Sequence, residues 1–217
     1  REQKKIDYQL DIEAAAVLSQ SEIGLISTSI AKDISRIAKS GKITAKRIKQ
    51  LEAKSDHDTA ALVEALAEKC QKASRPWIHY GLTSNDLVDT SNSMQMRDAI
   101  KIIQPKVSKL SLLLSKNAVK YKSVPAVGRT HGQHASIISF GLKFANWAAE
   151  MSTHIERLDE IKKRVLICKT MGVVGTGSLM GKNAIRVQER VAKKLGLYPA
   201  KVTTQIIPRE RYAEYIF

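Results

Sequence analysis

The chain of 217 residues is 43% hydrophobic, enough to bury the core of one large or two small domains. Its two cysteines, Cys70 and Cys168, lie far apart without CxxC spacing, which excludes a disulfide scaffold and fits a reducing cytoplasm. A net charge of +15, from 36 Lys and Arg against 21 Asp and Glu, suits an anionic partner, while no apolar run nears the ~20 residues of a membrane span and no signal-peptide stretch opens the chain.

Helical periodicity then dominates the chain in order. Ile6, Leu10, Ala14, Val17 and Leu18 mark a first helix that Gly24 stops. A second carries Ile30, Ile34 and Ile37 and meets Gly41; a third starts after Thr44 and carries Ile48 and Leu51. Ser55, with Asp58 three residues on, resembles a capping arrangement for a fourth helix through Leu62, Leu66 and Cys70. The connector KASRPWIHYGLT follows, punctuated by Pro76 and Gly81. Ser84 is placed as N-cap of the next helix, with Asp86 in its first turn and Asp89 one turn later. That helix runs to about Ile103, where Pro105 marks a new first turn or a kink, and helical spacing resumes to Tyr121.

After SVPAVGRTHGQ the longest pattern extends from about Ala135 to Leu166. Phe144, Ala148, Met151, Ile155 and Leu158 step by four, three, four and three, the seam of a long helix packing nearly parallel to others. MGVVGTGSLMG leads into a helix from about Asn183 to Leu195 that Gly196 closes, and the segment from Pro208 reads as the first turns of another. No strand is expected. The fold class is therefore all-α: a small N-terminal helical domain, residues 1–80, followed by part of a long-helix bundle, residues 81–217.

Several stretches carry chemistry. GTGSLMG, residues 175–181, approaches a dinucleotide fingerprint, but its spacing is GxGxxxG and no apolar strand precedes it. It reads as a loop whose glycines supply positive φ or close approach. GRTHGQHA, residues 128–135, sets Thr130, His131 and His134 before the longest helix, where N–H groups and the helix dipole favour an anion. A histidine there can exchange protons near neutral pH, or simply cap the helix. Its HxxH lacks companion ligands, so no metal is expected. TSND, residues 83–86, offers the Thr83 and Ser84 hydroxyls at a helix start, either to hold a carboxylate or phosphate or as an ordinary cap. SDHD, residues 55–58, sets His57 between Asp56 and Asp58, as a site residue or a surface histidine; TTQ, residues 203–205, contributes Gln205.

Taken in order along the whole chain, HYGLTSNDLVDT, GRTHGQHA with its long helix, VGTGS and TTQIIPRERYAEY resemble the adenylosuccinate lyases of the fumarase and aspartase superfamily. GLTSNDLVDT and RTHGQHA separate the chain from fumarases and from argininosuccinate lyases, which usually read RSRND in place of LTSND. The resemblance implies a lyase of purine biosynthesis that expels fumarate from adenylosuccinate, leaving AMP, and from succinyl-aminoimidazole carboxamide ribotide, with no cofactor. It implies His131 as the catalytic residue, donating a proton to the leaving nitrogen, and Thr130 beside it as a substrate contact. Thr83 and Ser84 match the hydroxyl pair that binds substrate through its succinyl carboxylates. Asp56, His57 and Asp58 match a substrate-binding stretch that often reads RHD, so Asp56 replaces a cationic contact. Gln205 matches a glutamine that hydrogen-bonds substrate, and His79 is a supporting candidate behind these contacts.

The family's base is a serine on a loop of the form GSSxMPxKxNP, which nothing here matches, and its N-terminal Arg-Tyr phosphate contact is likewise unmatched. The chain is therefore expected to be a piece of a longer enzyme, inactive alone. The resemblance further implies a purine nucleotide substrate and a homotetramer whose active sites combine three subunits, with no membrane or nucleic-acid partner. Two alternatives stand: another superfamily lyase or cycloisomerase, such as a carboxymuconate cycloisomerase relative, and a basic helical nucleic-acid-binding protein. The second leaves Thr83, Ser84 and His131 unexplained. Aromatics are 5% and are not interleaved with Lys/Arg blocks, which also speaks against it.

Overall fold

The computed structural model describes residues 2–216. They form two compact units, one of residues 2–96 with 163–216 and one of residues 97–162.

In the first unit, α1 (Glu2–Glu22) packs on α2 (Thr28–Ala38) and α7 (Ala184–Leu195). Its Ile12, Ala14, Ala16 and Val17 are all buried, and small alanines on several sides let a central helix take neighbours all round. Ile34 of α2, Leu62 and Leu66 of α4 (Asp58–Lys69) and Val187 and Val191 of α7 complete that core. Side chains cap the starts of these helices. Ser27 accepts from Ile30 N at 3.4 Å to head α2, and Thr44 accepts from Arg47 N at 3.2 Å to head α3 (Ala45–Ser55). The cap expected at Ser55 is displaced: α3 runs through Ser55, Asp56 ends it in the left-handed conformation, and His57 caps α4.

The long helix α5 (Ser84–Lys120) begins in this unit and contributes residues 97–120 to the other. Ser84, expected as its N-cap, is its first helical residue, and Thr83 precedes it. α5 also continues through Pro105 without ending. A proline removes one amide, here the partner of the Lys101 carbonyl, and Lys101 is exposed so that solvent can serve it. The first unit closes with a parallel pair of two-residue strands, β3 (Ile167–Cys168) beside β4 (Tyr198–Pro199), and with α8 (Glu210–Ile216).

The second unit corrects the expectation of no strand. Residues assigned to the approach and first turn of the longest helix form an antiparallel hairpin, β1 (Pro125–Thr130) and β2 (Gln133–Ser139), and α6 starts only at Phe140, running to Val165. The fold is thus predominantly helical with two small β elements. Val127, Ile137 and Ile138 suit extended backbone, and Thr130 pairs with Gln133 across a two-residue turn. His131 (φ +51°) and Gly132 (φ +73°) both take positive φ there, as a type I′ turn requires. Register shifts between Val127 and Arg129, where Gly128 makes a bulge. Tyr121, Phe140, Phe144 and Trp147 stack edge-to-face and face-to-face at the hairpin's base, with centroids 5.4–5.8 Å apart. Along α6 the expected seam of Phe144, Ala148, Met151, Ile155 and Leu158 is the covered face, each residue buried or half-buried while those around it are mostly exposed.

The glycine-rich loop owes its composition to close approach. Gly175 sits at φ +80°, and an added Cβ would overlap the carbonyl oxygens of Thr203 and Thr204. Gly175→Ala is expected to destabilise the protein by about 3 kcal/mol, as strained and overpacked substitutions do; a melting temperature equal to the parent's in thermal unfolding would contradict this.

Candidate active site

The start of α5 is organised by Asp86. This fully buried carboxylate accepts from Thr83 N (2.9 Å) and Gly172 N (2.9 Å) and ion-pairs with the fully buried Lys169. A first-turn carboxylate reaching back to the preceding amide is the acidic arm of a capping box, and it holds Thr83 and Ser84 at a helix N-terminus suited to an anion. Burial pushes the Asp86 carboxyl up, and Lys169 together with the two amides pulls it back. One turn later Asp89 accepts from Ile207 N (2.9 Å), Arg209 (2.6 Å) and the Tyr212 hydroxyl (3.1 Å). It thereby anchors the segment that carries Gln205, which itself is exposed. Asp86 and Asp89 thus shape the helix start; of their partners, Arg209 lies in TTQIIPRERYAEY without a role assigned to it from sequence, and Lys169 lies in no quoted motif, though a lysine directly after the apolar run VLIC is a usable signal.

His57 is brought to the same place. Its Nδ1 accepts from Ala60 N at 3.2 Å and its Nε2 lies 3.3 Å from Ser84 Oγ. With Nδ1 accepting, the neutral ring carries its proton on Nε2 and donates it to the serine. His57 therefore caps a helix and touches a site hydroxyl at once, so the two readings of the sequence are not exclusive. Asp58 turns to its own helix, accepting from Thr59 N at 2.6 Å, and Asp56 caps α3 through its backbone N–H to Glu52 O at 2.8 Å.

His79 stands behind. Its Nδ1 is 2.6 Å from Oε1 of the fully buried Glu13, and its backbone N donates to Oε2 at 3.0 Å. Burial opposes the imidazolium, but the Glu13 hydrogen bond and charge, with Asp86 adding to them, raise the His79 pKa above the ordinary histidine value.

Thr130 and His131 belong to the second unit, at the end of β1 and in the hairpin turn. His131 is nine residues ahead of α6, so the helix dipole invoked for it from sequence does not act there. Both are exposed, and Arg129 lies 3.2 Å from His134 Nε2. A cleft of ≈ 520 Å³ on this hairpin sets Arg129, Thr130 and Lys143 beside an apolar wall of Val127, Ala135 and Ile138. Among the described residues no group of three or more His, Cys, Asp or Glu is placed to hold a metal ion.

Backbone geometry singles out the same stretches independently. Among the described residues, the non-glycine positions with positive φ are Asp56 (50°), His79 (62°) and His131 (51°), one in each of three motif stretches read from the sequence. Such conformations are uncommon outside glycine and gather at functional sites.

This predominantly helical chain, with long helices and a short hairpin leading into one of them, has the fold of fumarate-lyase-type enzymes. The sequence matches the family described as Lyase over residues 1–217, and the chain belongs to that family. It is 42% identical to adenylosuccinate lyase of Methanocaldococcus jannaschii over 216 residues, covering 100% of this chain and 47% of that protein. It is 36% identical to adenylosuccinate lyase of Thermotoga maritima over 215 residues, covering 99% and 48%. Among solved structures, fumarate lyase from Mesorhizobium sp. BNC1 aligns with TM-score 0.91 at 28% identity, covering 98% of this chain and 50% of that one. The β-carboxy-cis,cis-muconate cycloisomerase from Acinetobacter calcoaceticus sp. ADP1 aligns with TM-score 0.90 at 29% identity, covering 97% and 50%. The chain spans about half the length of the curated relatives it matches.

The Glu13–His79 pair has a pH signature. Because its pKa is raised on folding, His79 contributes stability that is full below the ordinary histidine value and is lost as pH rises through the raised one. Glu13→Gln is expected to lower the His79 midpoint in imidazole NMR titration and to flatten that part of the pH dependence of denaturant unfolding; an unmoved midpoint would refute the coupling.

Proposed function

We propose that the protein acts as an adenylosuccinate lyase, eliminating fumarate from adenylosuccinate and from succinyl-aminoimidazole carboxamide ribotide. The observation that carries this reading is the coincidence of left-handed, non-glycine backbone at Asp56, His79 and His131 with motifs of a chain 36–42% identical to adenylosuccinate lyases. In this reading a proton leaves the carbon beside one succinyl carboxylate, the C–N bond breaks, and His131 donates a proton to the departing nitrogen. Charge builds into that carboxylate as the C–H bond breaks. Fixed donors at Thr83, Ser84 and the α5 N-terminus then contribute most in the transition state. His57, beside Ser84, and Gln205 and Thr130 hold the rest of the substrate, Asp56 and Asp58 set the turn around His57, and His79 supports the site from behind. The base is assigned to the serine of the GSSxMPxKxNP loop, for which this sequence has no match.

The same reading makes the assembly a cytoplasmic homotetramer with sites shared between subunits, residues 1–80 the N-terminal helical domain and 81–217 the first part of the bundle domain. Uncovered apolar side chains in the second unit support association: Ile102, Leu112, Leu113 and Val119 on α5 and Leu142 and Trp147 on α6 are all exposed. No helix of the described residues is long and apolar enough to cross a membrane. A cycloisomerase reading has structural neighbours in its favour, at the lower identity of 29%.

Purified full-length protein is expected to release fumarate from adenylosuccinate, and His131→Ala to lower kcat by about 10²–10⁴-fold, the usual worth of a general acid. Turnover of β-carboxy-cis,cis-muconate but not of adenylosuccinate would replace the assignment. Mixing His131→Ala with Ser84→Ala protein is expected to restore part of the activity if sites are shared; no rescue after subunit exchange would count against sharing.

A further inference from the structure

Asp86 presents a conflict at the start of α5. Its carboxylate shapes the helix start through Thr83 N and Gly172 N, yet its negative charge stands in the first turn, where it repels any anion brought to the same N-terminus. Lys169 is the one cation paired with it among the described residues, and both side chains are 0% exposed. Lys169 is itself held rigidly. Thr90 Oγ1 donates to its carbonyl at 3.0 Å and accepts from its amide at 3.1 Å, and its Nζ also donates to Gly172 O at 3.3 Å.

We infer that Lys169 is a positioning residue for substrate binding, whose buried ammonium neutralises Asp86 so that the Thr83–Ser84 helix start keeps its shape and still attracts a carboxylate. The inference rests on the reading of that helix start as the place where the succinyl carboxylates bind. Replacing an ion pair of this kind by apolar residues is frequently neutral for stability.

The two partners can be separated because removing either breaks the same ion pair but leaves opposite charges behind. Other titratable groups facing Asp86 are His79 of the connector, backed by Glu13 of α1, and the Cys168 thiol of β3, which burial pushes up to about 12. In the full-length enzyme, steady-state KM for adenylosuccinate is measured across neutral pH for Lys169→Met, Asp86→Asn and the double variant, with thermal unfolding as a fold control. Lys169→Met is expected to raise KM about tenfold where Asp86 is ionised, and less as acid neutralises that carboxyl. Asp86→Asn is expected to lower KM, and the double variant to return most of the affinity lost in Lys169→Met. Equal, pH-independent rises in KM for both single variants overturn the inference. If Lys169→Met does not fold, a tenfold higher KM in the folded double variant overturns it equally. Absence of fumarate release by the unsubstituted enzyme removes the lyase reading and this inference with it; turnover with the wrong pattern among the variants removes the role of Lys169 alone.

Discussion

Three parts of the first unit meet on the Asp86 carboxylate: the amide entering α5, the glycine turn at Gly172, and Lys169 just after β3. Removing one partner of such a buried pair costs about 3–5 kcal/mol, because the other is left charged and dry. Apolar contacts around Ile12, Ile34 and Leu66 supply the bulk of the burial, but they are directionless. The carboxylate adds direction, fixing which turn faces which helix. Asp89 repeats the device one turn on, tying Ile207, Arg209 and Tyr212 to the same helix face. A single helix start thus dictates where segments more than 80 residues away must lie.

The helices were legible because their apolar spacing and caps are local properties. Thr44, Gly196 and the seam from Phe144 to Leu158 all do in the structure what their positions imply. The hairpin was not legible for a reason equally local. Residues Ala135 to Ser139 continue smoothly into a helical pattern, and the turn signal is His-Gly rather than the usual Asn-Gly or Asp-Gly. The Ser55 cap failed because His57, two residues on, can offer a ring nitrogen to the same helix start. Candidate site residues could be picked out where they sit in motifs, whereas the partners Lys169 and Glu13 are tied to Asp86 and His79 by hydrogen bonds across the fold. Long-range pairs of this kind leave no periodicity to read.

The hairpin changes how His131 is to be understood. On a helix start its chemistry would come from the dipole; on a two-residue turn it comes from being projected away from the unit's own backbone. Its surroundings are then supplied by whatever it is brought against. That fits the proposed sharing of sites between chains.

The left-handed backbone at Asp56, His79 and His131 has a consequence for the protein's evolution in the laboratory. At Asp56 and His131, where no buried partner holds the side chain, glycine or asparagine suits that backbone better, so a library screened for heat resistance alone will enrich those residues there. Such a screen would strip the His131 imidazole from the candidate site while improving the fold. Heat resistance and turnover would have to be selected together.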